Sequence, residues 1–204
     1  IGEGSMKYKP DWPEARERLT ALWHGALLRR PCLAVTAPSG AGVPAPPPPE
    51  DPQARWLDPD YLVGTAIAHL SGTWWGGESL PSYLINGGWV VSLGGRPRFS
   101  PETIWFEPAA VDFAAASPFG YDPADPWVRR HAAAYAALLR AAGRDDFLVG
   151  RPCLLPANDL IALHLGAERF LLALKDRPAW MEQAILAGAR DMDVARRDLE
   201  GMAR

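Results

Sequence analysis

A chain of 204 residues, 48% hydrophobic and 22% charged, has enough apolar material for one core or at most two small ones. Its net charge of -3 is spread without long runs of one sign, which excludes an electrostatic case for DNA, RNA or an anionic membrane as partner. Apolar stretches are broken by Gly, Pro or charge before they can span a bilayer, and the two cysteines, Cys32 and Cys153, form neither a disulfide framework nor a metal-ligand spacing.

These features read as a soluble, cytoplasmic protein without a metal. Ile1 to Ser5 read as a remnant of expression ahead of a start at Met6, leaving residues 6–204 as a single α/β domain. Asp11-Trp12-Pro13-Glu14 is a helix start, with Asp11 as the capping residue and Ala15, Leu19, Leu22, Trp23 and Ala26 along one face. Arg29-Arg30-Pro31 ends that helix, because the residue before a proline is pushed out of the α region. Cys32 to Val35 reads as a first buried strand and Thr36 to Gly40 as the loop after it. The proline-rich segment from Gly42 to Pro52 leaves only extended or irregular structure, either an exposed connection or a proline-motif ligand.

A helix is expected from Asp58-Pro59 to about Leu70, with Leu62, Ala66 and Leu70 on one side. Trp74 and Trp75, beside Gly76-Gly77 and Glu78, form either a wall of a ligand site or a plug under a loop. Ser82 to Ile85 reads as a second strand ending in Asn86-Gly87-Gly88, followed by a short helix from Trp89 to about Leu93. Thr103 to Phe106, bounded by Pro101 and Pro108, is a hairpin arm or edge strand. Asp125-Pro126-Trp127 opens a helix to about Ala142, whose stripe of Trp127, His131, Tyr135 and Leu138 places His131 as a packed residue rather than a ligand. His24, His69 and His164 each stand alone on a predicted helix, with no second ligand three or four residues on.

Phe147 to Val149 suits a third strand buried on both faces, and Gly150 to Ala157, with two prolines, is the loop that follows it. Asn158 and Asp159 are capping types for the next helix, along which Leu160, Leu163, Ala167 and Leu171 recur. Asp176 caps a last helix carrying Met181, Ile185, Gly188 and Met192. Strand, polar loop and helix form the unit of parallel α/β sheets, whose chemistry sits on the loops after the strands.

Several motifs occur in a telling order: Trp12-Pro13-Glu14 with Trp23-His24-Gly25, Arg30 to Pro38, Trp75-Gly76-Gly77-Glu78 with Leu80-Pro81-Ser82, and Thr103-Ile104-Trp105 with Glu107-Pro108. Val149-Gly150 to Pro152, then Leu155, Gly166 and Asp176-Arg177-Pro178, continue the series. Together they resemble bacterial uroporphyrinogen decarboxylase-like proteins over nearly all of residues 7 to 204. The resemblance implies an α/β fold of the (β/α)8 TIM-barrel type. It also implies a lyase that decarboxylates a porphyrinogen without a cofactor, or a methyltransferase that uses a corrinoid. Two departures stand out. Thr36-Ala37-Pro38-Ser39-Gly40 occupies the place of the decarboxylases' arginine-bearing loop, and nothing fits the His-x-Cys zinc ligands of the methyltransferases.

The ligand face expected from this placement comprises Thr36, Trp74, Trp75, Glu78, Asn86 and Asn158 for substrate binding, with Arg151 and Asp159 as the catalytic pair. Arg151 would hold a carboxylate, and Asp159 would steady pyrrole N–H groups or a cationic intermediate. Asn158 and Asp159 can equally be helix caps and no more. The alternative function is a non-catalytic binding or assembly subunit of a corrinoid or methyltransferase system. Only three core strands are found, near residues 32–36, 82–85 and 147–150, so the expectation is the N-terminal half of a barrel with a β-arm near residues 98–107. Such an open sheet calls for self-association near Cys32 to Val35 and Phe147 to Val149, or for a missing C-terminal half.

Overall fold

The computed structural model describes residues 6–85, 95–143, 146–152 and 155–203. In chain order these form α1 (Trp12–Trp23), β1 (Ala34–Pro38), α2 (Pro52–Leu57), α3 (Pro59–Gly72), β2 (Thr73–Gly77), β3 (Ser82–Leu84), β4 (Pro97–Phe99), β5 (Ile104–Phe106), α4 (Pro126–Ala142), β6 (Leu148–Gly150), α5 (Ala157–Leu165), α6 (Ala167–Asp176) and α7 (Pro178–Met202). Proline stands in the first turn of α1, α2, α3, α4 and α7, where its fixed φ suits the helix and its missing N–H is no loss. Asp51 caps α2 by accepting the Gln53 N–H at 2.9 Å.

The chain divides into two units: residues 1–49, 59–85 and 137–150 form the first, and residues 50–58, 86–136 and 151–204 the second, the boundary falling within α4. In the first unit β1 and β2 pair antiparallel, with Thr36 opposite Trp75 and Ala37 opposite Trp74. Strands β3 and β6 pair in parallel, with Ser82 opposite Leu148 and Leu84 opposite Gly150. Two apolar clusters support these pairs: Leu70, Trp75, Ala142 and Phe147 in one, and Met6, Trp12 and Ala15 in the other. Coverage is incomplete, since every residue of β1 is exposed and Trp23, at the end of α1, is 90% exposed.

The second unit is mainly helical. Leu160, Ile161 and Leu165 of α5 pack with Ala173 of α6, Met181, Ala184 and Met192 of α7, and Phe119. The irregular stretch before α4 is strapped to α7: Phe113 meets Trp180 edge-on at 4.9 Å, the Trp180 indole N–H donates to the Ala115 carbonyl at 2.8 Å, and the Tyr121 hydroxyl donates to Asp198 at 2.8 Å. Strands β4 and β5 form the expected arm as an antiparallel pair, with Arg98 opposite Trp105.

Several expectations are overturned. The described residues contain no (β/α)8 core and no half of one: strands pair only two by two, in three separate sheets. Of the three strands expected to run parallel in one sheet, the second and third do pair in parallel, but the first pairs antiparallel with Thr73–Gly77. Its two tryptophans, expected as a ligand wall or a plug under a loop, are β-prone residues directly after the end of α3 and extend along β1. The helix after the third strand is two helices, because Gly166 takes φ 81 and resets the phase. Leu163 and Leu171, expected on the buried stripe with Leu160, are exposed: within α5 itself the buried side runs through Leu160, Ile161 and Leu165, and Leu171 lies beyond the break. Pro156, not Asn158 or Asp159, occupies the N-cap of α5, and Arg177, not Asp176, that of α7. The segment expected to be irregular from Gly42 to Pro52 ends in a helix start, since α2 begins at Pro52. Leu22 and Trp23, placed on the buried face of α1, are exposed. The expected helix from Trp89 to Leu93, the glycine turns before it, Asn86, Cys153 and residues 1–5 lie outside the described residues.

Candidate functional site

In the first unit the polar chemistry gathers around the antiparallel β1–β2 pair. Gly77 ends β2 at φ 61, and a Cβ there would stand 2.1 Å from the Leu33 carbonyl oxygen, so the position requires glycine. The turn brings the Glu78 N–H to that same carbonyl at 2.7 Å and lets the Glu78 carboxylate accept the Leu33 N–H at 2.7 Å. Arg30 then grips the carboxylate with two nitrogens, at 2.8 and 2.9 Å, and the Arg18 Nε–H donates to it as well. Burial alone would push the Glu78 carboxyl up. Donors from Arg30, Arg18 and the Leu33 amide more than offset it and hold the group down at about 2. With its oxygens occupied in this way, Glu78 is a clamp between α1 and the strand pair and has no lone pair left for a substrate. Lys9, fully buried, closes the other side: its ammonium donates to the Trp75 and Gly77 carbonyls of β2 at 2.9 and 2.8 Å, and to Asp11 at 3.2 Å.

At the far end of the same strand pair lies a groove of about 480 Å³, within the range of small-molecule sites. Its described lining includes Thr36, Pro38, His69, Thr73, Trp75 and Ser82. Register accounts for the pairing of Thr36 with Trp75, since residues directly opposite on two strands share a face. His69 arrives from the last turn of α3, where its ring meets Trp75 edge-on at 5.8 Å and Tyr83 at 6.4 Å. The Thr73 hydroxyl donates to the His69 carbonyl at 2.7 Å, and the Trp75 indole N–H to the Leu70 carbonyl at 3.2 Å, so the helix end and the start of β2 are locked together. Such a lining offers hydroxyl donors and acceptors, an aromatic wall and one imidazole able by type to act as a general acid or base. Among the described residues its lining includes no Lys or Arg.

The eight expected site residues do not form one group. Thr36 and Trp75 line the groove; Trp74 is 55% exposed on β2, and Glu78 is the clamp at the opposite end of that strand. Arg151, Asn158 and Asp159 belong to the second unit. There Arg151 pairs with Glu200 at 3.0 Å, and the Asn158 amide donates to Asp159 at 2.8 Å in the exposed first turn of α5. Asn86 lies outside the described residues. Sequence reasoning missed His69, Thr73 and Ser82. A lone histidine on a helix carries no spacing signal; the four-residue step from His69 to Thr73, just where a helix gives way to two tryptophans, was the signal available. Among the described residues no group of His, Cys, Asp and Glu is arranged to hold a metal ion, and no helix is long and apolar enough to cross a membrane. Comparison of the chain with protein family models, curated proteins and solved structures finds no match.

Proposed function

We propose that this protein binds a tetrapyrrole or a related cyclic ligand in the groove at the end of the β1–β2 pair, and that it acts on that ligand by decarboxylation or methyl transfer. The observation that carries the proposal is the pairing of Thr36 with Trp75 across the two strands, on the wall of a groove large enough for part of such a ligand. Both residues are among those expected to bind substrate from their placement at strand ends and in the adjoining loops. Trp75 supplies an aromatic wall, the Thr36, Thr73 and Ser82 hydroxyls accept pyrrole N–H groups, and His69 is the candidate for holding or moving a proton. A corrinoid is the cofactor only for methyl transfer, and decarboxylation calls for none.

Titration of the whole chain with a porphyrinogen under anaerobic conditions, and separately with a corrinoid, tests the proposal. Saturable quenching of tryptophan fluorescence is expected with one of them. Binding should weaken about tenfold when Thr36→Val and His69→Ala remove two polar partners together. No binding of either ligand, or the same affinity in the double variant, overturns it. Carbon dioxide release or corrinoid methylation separates the enzyme from the alternative, a non-catalytic binding subunit, which predicts tight binding without turnover.

A further inference from the structure

The second unit contains a cavity that the proposed function does not use, with a volume of about 470 Å³. Its lining is mixed: among the described residues Pro108, Pro118 and Phe119 supply apolar side chains, and the exposed Arg96 and Glu107 supply charge. The floor is His164 of α5, whose ring is 1% exposed and lies between Phe106 and Phe119, each at 5.7 Å. Two features hold this floor in place. A Cβ on Gly95 would stand 2.2 Å from the His164 ring, so the backbone at Gly95 rests directly on the imidazole. The Ala109 N–H donates to the His164 carbonyl at 2.5 Å, tying the wall segment to the end of the helix.

The charges at the rim select the ligand. Glu107 is engaged by Arg98 at 3.5 Å, and its N–H donates to the Arg96 carbonyl at 3.1 Å. The Arg96 guanidinium makes no ion pair among the described residues. Uncommitted among the described residues and placed at this mixed cavity, the Arg96 guanidinium suits one carboxylate, which it can bind with two parallel N–H donors. Glu107 beside it disfavours a dianion such as a phosphate monoester, since like charges at close range repel. Phe119 and the two prolines suit a flat or cyclic apolar body attached to that carboxylate.

We infer that this cavity is a binding site for a small monocarboxylate with an aromatic or cyclic apolar body, held by Arg96 at the rim and Phe119 within. The site is independent of the groove in the first unit, so either can fail without the other. Calorimetric titration of the full chain uses three probes: phenylacetate, its neutral analogue benzyl alcohol, and the dianion phenyl phosphate. Phenylacetate is expected to bind saturably and more tightly than the other two. Arg96→Gln, at an exposed position, should weaken it about tenfold to a hundredfold. Ala110→Trp fills the cavity from its exposed edge without touching a charge, and should abolish binding while the circular dichroism stays that of the parent. Unsaturable heats with phenylacetate, equal affinity for benzyl alcohol, tighter binding of phenyl phosphate, or unchanged affinity in either variant overturns the inference.

Discussion

In the first unit the fully buried side chains include the charged Lys9, and Glu78 lies almost as deep between two arginines; in the second, the deepest positions of α5 are Leu160, Ile161 and Leu165. The difference follows from how each unit satisfies its backbone. Helices close their own hydrogen bonds, so α5, α6 and α7 need only an apolar stripe to meet. A two-stranded sheet leaves half of each strand's N–H and C=O groups facing outward, and buried ones must find partners elsewhere. Lys9 supplies donors to two β2 carbonyls, and Glu78 accepts the Leu33 N–H just ahead of β1. Charge in the first unit thus completes a ladder that a larger sheet would have completed with strands.

The contrast is broken most sharply from the apolar side. Leu165→Ala should cost about 2 to 5 kcal/mol, because it removes a fully buried side chain from a packed cluster. Chemical denaturation with helix-resolved hydrogen exchange would show the loss concentrated in α5 and α7; a cost below about 1 kcal/mol would mean the cluster repacks freely.

Next in size is Glu78→Gln, which keeps the shape and leaves Arg18 and Arg30 without their counter-charge. Breaking a fully buried pair costs roughly 3 to 5 kcal/mol, and the 40% exposure of Arg30 reduces this to about 2 to 3 kcal/mol. Exchange should accelerate around α1 and the β1–β2 pair, with α5 to α7 unaffected.

Acid sharpens the same comparison through two groups with different windows. The Glu78 carboxyl is held below its unfolded value, so its contribution is fully present above 4.5 and is lost as pH falls toward about 2. His131 is also depressed, by burial, although its Nδ1 contact with the Trp127 carbonyl acts the other way. For a histidine with a lowered folded value, the unfolded chain takes up the proton first. Stability from His131 is therefore intact above 6.5 and declines as pH drops below it. Exchange measured from pH 7 to pH 3 should show α4 loosening around His131 before the β1–β2 pair does; the reverse order would refute the assignment of these windows.

The smallest stability effect belongs to Arg151→Ala. Its pair with Glu200 is 66% exposed on the arginine side, and Arg196 also holds Glu200, so the change should stay within about 0.5 kcal/mol. Because the fold is spared and Arg151 is not among the residues lining the groove, porphyrinogen affinity should be unchanged in this variant; a clear fall would return Arg151 to the site.

Much of the local structure was legible in the residues themselves. Prolines marked four helix starts, those of α1, α3, α4 and α7, the stripe of Met181, Gly188 and Met192 is buried along α7, and His131, Tyr135 and Leu138 share the buried side of α4 as their spacing implies. The β-arm between Pro97 and Phe106 was legible from its flanking prolines and aromatic residues. Such features depend on backbone sterics and on a period within one element, which neighbours in sequence decide. Which strand pairs with which was not legible, because pairing is settled by contacts between residues far apart in the chain. The order of strands and helices was compatible with a parallel barrel, but β1 lies beside Thr73–Gly77 and only β3 and β6 run parallel. The same limit applies to the site. Sequence marked Thr36 and Trp75 separately, and the antiparallel register places them opposite one another with His69 beside them. It also marked Glu78 as a possible ligand, whereas two arginines brought to it from 60 and 48 residues away make it a structural clamp.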